Sequence, residues 1–103
     1  MKKILGIVVL TLLISSTAQA YLIRGKVDCG TILRLSKDNP TLTTGMMTAY
    51  VNGYITGRNY ETDKMVGKGV SNDSIYYAVL KYCKDNPLKD NGDAAEHIFQ
   101  QLK

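Results

Sequence analysis

Apolar residues recur at helical spacing in four separate stretches of the chain. In the second stretch, the large side chains occupy the i, i+3, i+4, i+7 and i+8 positions of one helical face: Met47, Tyr50, Val51, Tyr54 and Ile55. Alternation of apolar and polar residues, which is typical of strands, does not occur after residue 20. The pattern predicts an all-α protein, a small bundle of about four short helices.

Capping and stop residues predict the bounds of the first two helices. The first should open at Asp28 as its N-cap and stop before Asn39-Pro40, because proline disfavours helical geometry in the preceding residue. Thr43 or Thr44 is expected to cap the second helix, which should span residues 45–59.

A polar segment with two glycines separates the second helix from the third, and we expect residues 60–70 to form a loop. The third helix should start at Ser71 or Asn72 and end at Asn86-Pro87. The last should be capped by Asp90 or Asn91.

The first twenty residues have the composition of a secretory signal. Two lysines precede an aliphatic run over residues 4–14, and Ala18-Gln19-Ala20 supplies the small-x-small cleavage pattern. The run is shorter than the roughly 20 apolar residues that a membrane span requires. We expect residues 1–20 to be cleaved, residues 21–103 to form one periplasmic domain, and no membrane span to remain.

Removal of the signal changes the charge balance. It leaves 11 Lys and Arg against 9 Asp and Glu, a net charge of +2. Nucleic acid is not an expected partner, because its binding needs a concentrated basic face. Protonation of the nine carboxylates and His97 would raise the charge to +12, and repulsion on that scale can loosen a small fold.

Both cysteines, Cys29 and Cys83, lie in the part predicted to be exported. An even count in an oxidising compartment usually means pairing, although two buried free thiols are the alternative. We expect a Cys29–Cys83 disulfide, which would contribute about 4 kcal/mol by closing a long loop. Neither zinc nor haem is expected, since the chain has no C-x-x-C motif and a single histidine.

Little in the sequence indicates catalysis or metal binding. Asp93 lies one helical turn before His97, but a solvated ion pair is the ordinary expectation, because no nucleophile stands beside it. Asp85, Asp90 and Asp93 do not have the spacing of an EF-hand loop and fit helix caps and turns instead. We therefore predict a protein that is not an enzyme and has no cofactor.

A candidate contact surface follows from residues that the core does not require. Gly53 and Gly57 lie four apart on the second helix, where each glycine costs about 1 kcal/mol of helix propensity relative to alanine. That cost suggests close packing against another segment. Met46 lies at the edge of the apolar face, and Tyr76 of the third helix should be exposed. We expect Met46, Gly53, Gly57 and Tyr76 to border a contact for self-association or for a protein partner.

Three motifs in order resemble those of a known family. They are Cys29 at a helix start, the segment Tyr50-Val-Asn-Gly-Tyr-Ile-Thr-Gly-Arg-Asn59, and Tyr82-Cys-Lys-Asp-Asn-Pro-Leu88 before an amphipathic helix. From Asp28 onward, the chain resembles the HdeA/HdeB family of periplasmic proteins. The resemblance implies a helical fold with one disulfide, often a homodimer near neutral pH. Characterised members are ATP-independent acid-stress chaperones that hold other periplasmic proteins in solution at low pH.

A second resemblance indicates a different function. Periplasmic immunity proteins, which neutralise cell-wall-degrading toxins, share a Gly-Tyr-x-x-Gly-like centre, here residues 53–57. Their second cysteine should fall nearer the central loop, so the position of Cys83 favours the HdeA/HdeB family. An inhibitor or exclusion factor from a mobile element would also be a small secreted helical protein, and the sequence does not distinguish it from an immunity protein. The partner is therefore expected to be either unfolded clients or one toxin or enzyme.

Overall fold

The computed structural model describes residues 25–103, so the predicted signal segment lies outside the described residues. Four α-helices follow one another: α1 (Cys29–Asp38), α2 (Pro40–Thr62), α3 (Asn72–Asp85) and α4 (Asn91–Leu102). Over this range there is no strand, and a single backbone bridge joins Asp28 to Asp90. The predicted all-α bundle is confirmed.

Three of the four helices start where local capping signals predict. Asp28, Ser71 and Asp90 are the N-caps of α1, α3 and α4, and each accepts a hydrogen bond from a backbone N–H three residues further on. In α4 the carboxylate of Asp93 also accepts the backbone N–H of Asp90, which completes a capping box.

The predicted start of α2 was wrong by five residues. Asn39 is the N-cap, and Pro40 occupies the first helical position, where its missing N–H and fixed φ are suitable. Thr43 and Thr44, the predicted caps, lie inside the helix, and their hydroxyls donate to the carbonyls of Asn39 and Pro40. The helix also continues past residue 59 to Asp63, a C-cap with a φ of 54°.

The core lies among the inner faces of α2, α3 and α4, and α1 packs on α2 and α3. Each helix contributes buried apolar side chains at helical spacing. They are Ile32 from α1, Met47, Val51 and Ile55 from α2, Ile75 and Val79 from α3, and Ala95, Ile98 and Phe99 from α4. Burial of one large side chain of this kind stabilises a fold by about 1.5–3 kcal/mol.

The predicted disulfide is also confirmed. Cys29 and Cys83 are bonded, and both side chains are fully buried. The bond joins the first residue of α1 to the last turn of α3 across a sequence separation of 54 residues.

Asn91, the fully buried first residue of α4, holds the segment that precedes α1. Its side-chain oxygen accepts the N–H of Val27 at 2.8 Å, and its side-chain nitrogen donates to the carbonyl of Gly25 at 3.0 Å. Its backbone N–H donates to the carbonyl of Val27 at 3.0 Å. The backbone N–H of Cys29 donates to the carbonyl of Lys89 at 2.8 Å, so residues 25–29 pair with residues 89–91.

Loss of the disulfide is expected to remove much of the stability. Cys29→Ser combined with Cys83→Ser should lower the free energy of unfolding of residues 21–103 by about 4 kcal/mol, because the bond restricts the unfolded chain. Urea denaturation with and without reductant measures this change. Leu88→Ser, at a side chain that is 98% exposed, is the control and should unfold at the wild-type midpoint. Equal midpoints in oxidised and reduced protein would contradict the prediction.

Asn91→Ala should lower the free energy of unfolding by about 2–3 kcal/mol, since it leaves polar backbone groups of Val27 and Gly25 without partners. Asn72→Ala is the matched control, because its side chain makes one exposed hydrogen bond, to Asn52, and it should cost about 1 kcal/mol or less. Thermal and urea unfolding followed by circular dichroism report both values. An equal, small cost for the two variants would show that the side-chain bonds of Asn91 to Gly25 and Val27 add little to stability.

Candidate protein-contact surface

The longest helix, α2, exposes one complete face to solvent. We call this the outer face of α2, and its exposed residues are Leu42, Gly45, Met46, Ala49, Gly53, Thr56, Gly57 and Tyr60. No charged residue occurs in the nineteen positions from Asn39 to Gly57. Charged and polar residues normally cover the solvent side of a surface helix, so an uncharged outer face indicates a surface suited to contact.

Small residues run along the middle of the outer face. Gly45, Ala49, Gly53 and Gly57 follow one another at intervals of four, and residues four apart lie on the same side of a helix. Large apolar side chains stand at the two ends, with Leu42 52% exposed and Tyr60 92% exposed. The outer face is therefore a shallow uncharged strip between two apolar ends.

Gly53 and Gly57 do not pack against another part of the described chain. A Cβ atom placed at either residue meets nothing within 4 Å. The low helix propensity of these glycines predicted close packing against another segment, and no such packing is found within residues 25–103. Their use in a contact with another molecule stays a prediction.

Met46 lies on the outer face with the two glycines, whereas Tyr76 lies on α3. Tyr76 is half-buried against the core, and its neighbour Tyr77 is the exposed tyrosine, at 71%. The buried side of α3 carries Ile75, Val79 and Cys83, and the partly buried Tyr76 lies beside it. The structure therefore brings three of the four predicted contact residues together and separates Tyr76 from them.

A polar cluster that the sequence did not indicate joins α2 to α4. The hydroxyl of Tyr54 and the guanidinium of Arg58 both donate to the carboxylate of Glu96. The guanidinium carbon of Arg58 also lies 4.3 Å from the ring centre of Phe99, a cation–π contact. Burial raises the pKa of Glu96, but the hydrogen bonds from Tyr54, Gln100 and Arg58 outweigh it, and the pKa lies below its usual value.

Two N-cap carboxylates are stabilised in their ionised forms in the same way. Hydrogen bonds from Thr31 hold the pKa of Asp28 below its ordinary value. Burial raises the pKa of Asp90, but the backbone N–H of Asp93 and the ammonium of Lys26, at 3.2 Å, lower it overall. Protonation therefore weakens the start of α1, the start of α4 and the contact between α2 and α4.

The predicted ion pair between Asp93 and His97 was wrong. Asp93 accepts the backbone N–H of Asp90, and the ring of His97 lies against Tyr82 with centres 5.1 Å apart. Asp85 pairs with Lys81 at 3.0 Å. Within residues 25–103, no group of His, Cys, Asp and Glu side chains is arranged to hold a metal ion.

The fold and the outer face define a small helical protein closed by one disulfide, with an uncharged surface available for contact. Comparison with known proteins gives no match, whether with family models, curated proteins or solved structures. The resemblance to the HdeA/HdeB family therefore rests on the residues quoted for it. Among the described helices, none combines the length and the apolar content that crossing a membrane requires.

Because open space surrounds the glycines of the outer face, added methyl groups should stabilise α2. Gly53→Ala and Gly57→Ala are each expected to raise the free energy of unfolding by about 0.5–1 kcal/mol, the gain in helix propensity. Gly67→Ala is the control and should destabilise, since its φ is +87°. Urea denaturation at several protein concentrations measures all three. Destabilisation by Gly57→Ala at every concentration would mean that this position is packed within one chain.

Proposed function

We propose that this protein is exported to the periplasm, loosens in acid and holds non-native proteins in solution without ATP. The observation that carries the proposal is that carboxylates with lowered pKa cap α1 at Asp28, cap α4 at Asp90 and join α4 to α2 at Glu96. The disulfide, which acid does not break, closes the same bundle. A chain built in this way can loosen at low pH without becoming fully extended.

The sign of the pH effect follows from these lowered pKa values. A carboxyl whose pKa is lower in the folded than in the unfolded chain contributes stability above the unfolded pKa and loses it as the pH falls through the folded pKa. Unperturbed Asp and Glu titrate near 3.9 and 4.3. The loss of stability should therefore begin near pH 4.5 and continue below it.

Helix α4 depends on these contacts more than the other helices do. Asp90 caps its start and pairs with Lys26, while Glu96 joins its middle to α2. The disulfide ties α1 to α3 and leaves α4 outside the closed loop. We therefore expect α4 to separate first when the pH falls.

Separation of α4 would uncover apolar groups of α2 beside its uncharged outer face. Val51 and Ile55 are buried in the closed bundle, and Phe99 of α4 is buried with them in the core. Helix α2 would then offer apolar side chains on two sides, among them Met46 and Met47, whose flexible thioethers adapt to varied partners. The rise in net charge to +12 would keep the loosened protein and its clients apart from other copies.

Neutralisation of one toxin or enzyme is the second candidate function, and a different observation favours it. The outer face of α2 is exposed and fully helical in the closed bundle, so binding there needs no loosening. A preorganised face lowers the ordering cost of binding and suits one folded partner or a second copy of this chain at neutral pH.

Acid titration tests the first proposal. Residues 21–103 should lose stability below about pH 4.5 and should reduce light scattering by an acid-sensitive client at about pH 3, where most carboxyls are protonated. Glu96→Gln should weaken the fold at neutral pH and make its stability less dependent on pH, because it removes one carboxyl with a lowered pKa. Asp38→Asn, at an exposed residue of α1, is the matched control and should change neither property.

Three results would reject the acid-dependent mechanism. Client scattering that stays unchanged throughout the acid range would leave binding of a folded partner at neutral pH as the better proposal. Equal protection at neutral and acid pH would show that loosening is not required. A stability that is the same at pH 7 and pH 3 would remove the physical basis of the proposal.

A further inference from the structure

A groove lies where the second half of α2 meets the loop of residues 63–71 and the first turn of α3. Its volume is about 370 Å³. Ile55 and Ile75 form a buried apolar floor together with the half-buried Val66. The loop side is lined by Lys64, Met65, Lys68 and Val70. The groove adjoins the outer face at Thr56, but the predicted contact residues Met46, Gly53 and Gly57 do not line it.

The loop that forms one wall of the groove has a fixed shape. The side-chain nitrogen of Asn59 donates to the carbonyl of Val66 at 2.9 Å, and its side-chain oxygen accepts the N–H of Val66 at 3.0 Å. The N–H of Lys64 donates to the carbonyl of Asn59 at 3.1 Å. Because these bonds hold the loop before any ligand arrives, binding in the groove has little ordering cost.

The rim of the groove combines exposed apolar groups with two positive charges. Met65 is 71% exposed beside the apolar floor. Lys64 and Lys68 form no ion pair within 4 Å with any residue of 25–103. Three nearby acids, Glu61, Asp63 and Asp73, do not line the groove. A complementary ligand therefore carries a carboxylate next to a large apolar group.

The open shape of the groove favours a peptide over a small molecule. A small ligand gains its affinity when a pocket covers about 70–90% of its surface, whereas the wall residues Met65 and Val70 here remain open to solvent. A peptide can lie along an open groove and place single side chains into it. We propose that this groove binds a short acidic segment of a partner protein, with an apolar side chain on the floor and a neighbouring carboxylate against Lys64 and Lys68.

A titration at neutral pH tests the proposal without depending on the acid-dependent function. The probe is an acetylated and amidated peptide, Gly-Asp-Leu-Asp-Leu-Gly, added to isotope-labelled residues 21–103 and followed by NMR. Saturable shifts are expected at the amides of Lys64, Val66, Lys68 and Ile75, with a Kd of about 0.1–1 mM. Peptides with alanine in place of leucine, or lysine in place of aspartate, should bind at least about tenfold more weakly, since each lacks one half of the recognised chemistry.

Two pairs of charge variants distinguish binding in the groove from general electrostatic attraction of an acidic peptide to a basic protein. Lys64→Gln with Lys68→Gln should weaken binding about three- to tenfold at low salt, because exposed ion pairs are modest in strength. Lys84→Gln with Lys89→Gln makes the same charge change at exposed residues outside the groove and should leave the Kd unchanged. Asn59→Ala should also weaken binding while keeping both lysines, and circular dichroism verifies that its helices remain.

Several outcomes would overturn the proposal. They are the absence of saturable shifts up to several times the expected Kd, equal loss of affinity in both lysine pairs, and shifts centred on Met46 and Gly53. Binding of decanoate by the groove without binding of the peptides would identify a site for a small amphiphile instead of a protein segment.

Discussion

The assembly of the four helices depends on the Cys29–Cys83 disulfide. It joins the start of α1 to the end of α3, and both sulfurs are buried in the core. Helix α1 has ten residues, too few for an isolated helix to be stable in water, so its structure relies on this attachment. Asn91 pairs the adjoining segment with the start of α4. In a chain of this size the core is small, and the bond and the Asn91 contacts together keep the four helices assembled.

Local signals explain why most helix starts could be predicted from the sequence and one could not. Asp28, Ser71 and Asp90 act as caps through bonds to residues three positions away, which the sequence displays directly. Asn39 has two roles, because it is both the C-cap of α1 and the N-cap of α2. The sequence predicts that α1 stops before Asn39-Pro40, as it does, but Pro40 is also the first residue of α2. The pairing of Cys29 with Cys83 could be predicted because two cysteines allow one connectivity.

The candidate surfaces were harder to predict than the helix starts, because they depend on contacts between residues that are distant in the sequence. Hydrophobic periodicity gives no information about such contacts. The uncharged run before Arg58 was visible in the sequence, but the solvent exposure of Gly53 and Gly57 required the positions of the other helices. Glu96 binds Tyr54 across 42 positions, and Asn91 binds Gly25 across 66. The groove also depends on the loop conformation, which is set by the hydrogen bonds between Asn59 and Val66 rather than by any recognisable motif.

The contact between Arg58 and Glu96 connects the stability of the bundle to the chemistry of the outer face. Arg58 is the first charge after the uncharged run, and it turns toward α4, where Glu96 and the ring of Phe99 hold it. The charge of Arg58 is thereby held at the contact between α2 and α4 in the closed bundle. Protonation of Glu96 removes the charge that offsets Arg58 at the same time as it weakens the contact of α4 with α2. A pH low enough to protonate Glu96 would therefore also change the electrostatics of α2, the helix that carries the candidate contact surface, so the neutral and acid forms of the protein would favour different partners.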